Sequence, residues 1–93
     1  MTRNGKKIIV YFVPLPKEIG ENIHGMVTED STGYYIMIDS SRTEDEQKRI
    51  LGHELAHIFL GHLDDRRVSD PEAEAEADRA AAYYYKLYAE GAA

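Results

Sequence analysis

His53, Glu54 and His57 stand in the run Ile50-Leu51-Gly52-His53-Glu54-Leu55-Ala56-His57-Ile58-Phe59-Leu60. On an α-helix, residues four apart lie one turn apart on the same face, about 6 Å along the axis. His53 and His57 can therefore aim two imidazole nitrogens at one point, as two ligands of a tetrahedral zinc ion must. Glu54 lies about 100° round the helix from His53, beside the metal, where it can hold and deprotonate a metal-bound water. Two histidines at this spacing are more often core or surface residues than ligands, and short motifs match by chance. The flanks favour the metal. Leu51, Leu55, Ile58 and Phe59 on one side and Ile50, Ala56 and Leu60 near the histidines make the helix apolar nearly all round, which marks it as buried. Buried polar side chains need partners, and a metal explains three converging ones.

A third ligand must come from elsewhere. His62 lies five residues after His57 and, in a continuing helix, about 140° away from it, so the spacing predicts a solvent-facing side chain. Asp64 is on the right face but about 10 Å up the axis. A second helix begins at Asp70-Pro71-Glu72, with Asp as N-cap and Pro at the first helical position, and runs to about Glu90. On its wheel Glu74, Ala77, Asp78, Ala81, Tyr85 and Tyr88 fall within about 60°, while Glu72, Glu76, Arg79, Tyr83 and Glu90 lie opposite. The Ala- and Tyr-bearing face must pack, and a carboxylate on it needs a positive partner. This puts Glu74 ahead of Glu76 or Glu72 as third ligand. Asp78, one turn on, suits an acid that accepts the spare N–H of a ligand histidine, or else pairs with Lys48 or the neighbours of Arg79.

The elements that hold these residues are few. Lys7–Val13, Ile23–Glu29 and Tyr34–Asp39 are rich in β-branched and aromatic residues and read as strands. Pro14 and Pro16 end the first, and Lys17–Asn22 reads as a loop. Asp30-Ser31-Thr32-Gly33 has turn chemistry and suggests a hairpin. Thr43 with Glu46 has capping-box spacing, so the motif helix starts near Glu44 and ends at Gly61 or His62. Leu63–Ser69 reads as polar loop. The expected fold is α+β: a small antiparallel sheet packed on the motif helix and a C-terminal helix, as one domain over residues 1–93. His24 reads as a surface strand residue or, more sharply, a substrate-facing one. Tyr34 and Tyr35 are expected in packing rather than as phenol donors to an intermediate.

With 30% charged and 43% hydrophobic residues the chain is an ordinary globular one. It has no cysteine, hence neither disulfides nor a thiolate zinc site. A net charge of −6 argues against direct nucleic-acid binding. No apolar run reaches membrane-spanning length, and no signal-peptide core follows Met1–Lys7; the expected location is cytoplasmic.

From Gly33 to about Tyr84 the sequence resembles the ImmA/IrrE family of zinc metallopeptidases. The resemblance lies in Ile36-Met37-Ile38-Asp39, then His53-Glu54-Leu55-Ala56-His57, then Glu74-Ala75-Glu76-Ala77-Asp78-Arg79-Ala80-Ala81. It differs where Ala80 replaces the family's aromatic and Tyr83-Tyr84-Tyr85 its Leu-rich continuation, and relatives commonly extend beyond the position of Ala93. The resemblance implies one Zn2+ held by His53, His57 and Glu74, with Glu54 as general base and acid in peptide hydrolysis. It further implies a helix-turn-helix transcriptional repressor as substrate. A substrate strand is expected to pair with the sheet edge at Tyr34–Asp39. The alternative is a zinc-stabilised, non-proteolytic module that docks on a repressor. The short C-terminus favours it, whereas Glu54, which a purely structural site does not need, counts against it.

Overall fold

Asn4 and Gly5 both take positive φ, 54° and 76°, the backbone of a two-residue hairpin turn of the mirror-image type that favours Asn-Gly. The turn joins β1 (Thr2–Arg3) to β2 (Lys6–Val13) in antiparallel register, Thr2 opposite Lys7. The computed structural model describes residues 1–16, 24–64, 66 and 68–91. The expected start of the second strand at Ile23, and the loop Lys17–Asn22, lie outside these residues. Two further strands, β3 (Gly25–Glu29) and β4 (Gly33–Asp39), form the expected hairpin. The Asp30 carboxylate closes it by accepting the Thr32 and Gly33 amides at 2.8 and 3.1 Å.

The strand order is β1-β2-β4-β3. β2 runs parallel to β4, so the sheet is mixed rather than antiparallel. The side-chain alternation that marks a strand carries no information about its direction, which is why the expectation of an antiparallel sheet fails at β2. β4 takes the centre, where both edges are paired. Its Tyr34, Ile36 and Ile38 are fully buried against Leu51, Leu55 and Ile58. The expected substrate edge at Tyr34–Asp39 is therefore not an edge. Among the described residues the free edge on the site's side is that of β3. Asp30 N–H to Gly33 O and Asp39 N–H to His24 O are ladder bonds, so by strict alternation the backbone groups of Gly25 and Val27 point outward.

α1 (Glu44–Phe59) begins as expected: the Thr43 hydroxyl accepts the Glu46 amide at 3.2 Å and donates to its carboxylate at 3.0 Å. It ends at Leu60, one residue before Gly61 at φ 80°. Gly61 N–H bonds to Ile58 O and His62 N–H to His57 O, the pair of bonds that defines a Schellman turn. α2 (Pro71–Ala89) starts on Asp70, whose side chain accepts the Glu72 amide at 3.0 Å. Among the described residues no helix is long and apolar enough to cross a membrane.

The two helices meet along Ala73, Ala77 and Ala81, all buried. Tyr88, expected on this face, is 37% exposed; it lies two turns beyond Ala81, the last buried residue of the stripe. Phe59 of α1 and Tyr84 of α2 stack, 5.5 Å between centroids. At Gly52 the helices are in close contact: a Cβ there would stand 2.1 Å from Ala81 O. Helix propensity alone favours Ala over Gly by about 1 kcal/mol, so Gly52→Ala separates the two effects. The expected outcome is a loss of about 1–3 kcal/mol as α2 is forced off α1, read from the urea midpoint; a variant at least as stable as the parent would refute the close contact.

Candidate metal centre

α1 presents His53 and His57 one turn apart, with Nε2 atoms 3.0 Å from each other. α2 brings Glu74 across the helix interface. One carboxylate oxygen lies 2.8 Å from His57 Nε2 and the other 3.3 Å from His53 Nε2. Donor atoms of all three fall within 4.8 Å of one another. Two ligands each about 2.1 Å from a tetrahedral ion stand roughly 3.4 Å apart, so the separations suit a single small cation.

The outer nitrogens decide which protons are present. His53 Nδ1 lies 2.7 Å from Asp78 Oδ1, and a carboxylate there requires Nδ1–H as donor. His62 Nε2 lies 2.6 Å from Glu76 Oε1, so it too carries the proton. A neutral His62 is then bare at Nδ1 and accepts the N–H of His57 Nδ1 at 2.9 Å. Both His53 and His57 are left with an Nε2 lone pair, and both lone pairs face Glu74. Three acceptors at such range repel unless a cation or a proton sits among them. The donor set thus fits a bound Zn2+.

His62 corrects the sequence reading. It is 0% exposed, not solvent-facing. The reading extended the helix past Gly61, whereas the Schellman turn reverses the chain and lays His62 over His57. The signal was present in Gly61, since the residue after the left-handed glycine returns to the last helical turn. Glu76, weighed as an alternative ligand, lies on the other flank of the alanine stripe and reaches His62 instead. Asp64 pairs with Arg3 at 3.0 Å, away from the centre.

Glu54 is 8% exposed and borders an open cleft of about 740 Å³ beside the histidines, with Met26 of β3 along one wall and Arg49, Ile50 and Val68 around it. Burial, reinforced by the negative charge of Glu74 and opposed by His53, pushes its carboxyl up to about 7. Burial also lowers His57, with His53 adding to the effect. His24 lines the cleft as well, its Nε2 3.1 Å from Arg42. Tyr34 and Tyr35 are absent from the lining; the Tyr34 hydroxyl is 3.3 Å from Arg3 and that of Tyr35 2.6 Å from Thr32.

Residues 5–88 match the Peptidase_M78 family, described as the IrrE N-terminal-like domain. The chain belongs to that family. No curated protein and no solved structure matches it. The family points to a metallopeptidase-type enzyme, and in this IrrE-like domain the His-His-Glu cluster is where a metal ion could be held.

The metal-free IrrE-like domain should depend on pH through Glu54. Its folded pKa is raised above the unfolded 4.5, so the native state binds the extra proton and stability falls as pH rises from about 4.5 to 7. The loss is about 3 kcal/mol at most. The lowered His57 acts oppositely, costing stability as pH falls below 6.5. Thermal melts of the metal-free protein should therefore show Glu54→Gln gaining most over wild type above pH 7 and little near pH 4.5. A constant difference across the range would refute the assignment.

Proposed function

We propose that this domain is a zinc-dependent peptidase in which His53, His57 and Glu74 hold one Zn2+ and Glu54 acts as general base and then general acid. The observation that carries the reading is the convergence of two fixed Nε2 lone pairs on the Glu74 carboxylate, next to a buried acid that holds none of them. When bound, the ion supplies Lewis acidity toward the scissile carbonyl and lowers the pKa of water. Glu54 takes the proton of the attacking water on its carboxylate and passes it to the leaving amine as the C–N bond breaks. Its affinity for a proton suits both transfers near neutral pH, although a nearby cation draws its pKa downward.

The substrate would lie extended in the cleft against β3, whose outward groups at Gly25 and Val27 can pair with a peptide backbone. A helix-turn-helix repressor is the proposed substrate, on the family resemblance alone. Three protein ligands leave a fourth position open, the arrangement of catalytic zinc sites.

Metal analysis and cleavage assays on wild type, Glu54→Gln and Glu74→Gln test the reading. Wild type should carry near-stoichiometric zinc and hydrolyse an extended repressor peptide. Glu54→Gln should keep the zinc and lose at least about 100-fold in rate, and Glu74→Gln should lose the zinc. Zinc retained by Glu74→Gln would remove it from the ligand set. Zinc in wild type without cleavage of repressor or unstructured peptides would favour the docking module. Val27→Pro, which deletes an outward N–H of β3, should raise KM without releasing metal; an unchanged KM would exclude that edge.

A further inference from the structure

We propose that His62 and Glu76 are positioning residues for the metal, a relay that fixes the tautomer and ring orientation of His57. The proposal rests on the zinc reading above and extends it to two residues outside the ligand set. Each ligand histidine should have its Nδ1–H held so that Nε2 presents a lone pair. His53, at the cleft, meets a carboxylate directly through Asp78 at 2.7 Å. His57 is 1% exposed, and its Nδ1 faces His62 instead. His62 spans the gap, with Nδ1 2.9 Å from His57 Nδ1 and Nε2 2.6 Å from Glu76 Oε1. Charge on Glu76 thereby polarises His62, and through it His57, making Nε2 a stronger donor to a cation.

A packing role alone explains this poorly. The position after a Schellman glycine ordinarily makes an apolar contact with the last turn, which a leucine would provide without burying polar atoms. An imidazole there costs desolvation unless both nitrogens are bonded. Both are, and in an order that leaves the His57 lone pair facing the site.

The test compares zinc affinity, by competition with a chromophoric chelator, for wild type, His62→Leu, His62→Asn and Glu76→Gln. Nitrogen-15 NMR of the zinc-loaded wild type reports the imidazole tautomers. His62→Leu should bind zinc about 10–100-fold more weakly. His62→Asn, whose amide oxygen can accept from His57, should recover most of that loss, and Glu76→Gln should fall between. His62 should be protonated at Nε2 and bare at Nδ1. Zinc affinity in His62→Leu equal to wild type, or no recovery in His62→Asn, would overturn the relay while leaving the zinc site intact. Should His62→Leu fail to fold, the tautomer decides, because a proton on His62 Nδ1 excludes acceptance from His57. A wild type that binds no zinc would overturn the metal reading itself, and the relay with it.

Discussion

The contact between Gly52 and Ala81 governs the geometry of the site. Glutamate is short: its carboxylate reaches histidines on a neighbouring helix only if the two backbones nearly touch. Gly52 on one side and the Ala73, Ala77 and Ala81 stripe on the other allow that approach. Glu74 and Asp78 then lie on one flank of the stripe and Glu76 on the other. Three acids that look alike in sequence thus meet three different partners: the His53–His57 pair, the outer nitrogen of His53, and His62.

What the approach creates is a concentration of acceptors at the edge of the cleft. Two imidazoles whose outer nitrogens carry the protons, and a carboxylate between them, form an arrangement that calls for a cation or a proton among them. Glu54 is buried nearby without joining the cluster, and its raised proton affinity follows from that burial, with the charge of Glu74 adding to it. The cluster and the acid are thus distinct: one gathers acceptor atoms, the other places a carboxyl of raised proton affinity beside the cleft.

The sheet serves this arrangement from behind. Tyr34, Ile36 and Ile38 support α1 through Leu51, Leu55 and Ile58, residues that alternate along the helix with the functional ones. With β4 doubly paired, the hairpin partner β3 is left at the margin beside the cleft. Among the described residues, the strand that completes the core and the strand with a free edge beside the cleft are thereby kept separate.

Much of this was legible from local chemistry. The His53-Glu54-x-x-His57 spacing, the Thr43–Glu46 capping box, the Asp70-Pro71 start and the alternation of β4 are short-range patterns, and each residue's neighbours in sequence are its neighbours in space. The same holds for the Asn4-Gly5 turn and the Gly61 reversal, each written in a glycine that takes a positive φ. The parallel pairing of β2 with β4, the central place of β4 and the pairing of Glu76 with His62 were not readable. They depend on which surfaces meet and how closely, and a helical wheel gives the direction of a side chain but not the position of the neighbouring element. The sequence by itself determined the side-chain types of the cluster and the helices that carry them. Only the tertiary structure decided that Glu74 meets both histidines and that His62 lies buried behind one of them, because those contacts come from helix packing and a chain reversal rather than from spacing along one helix.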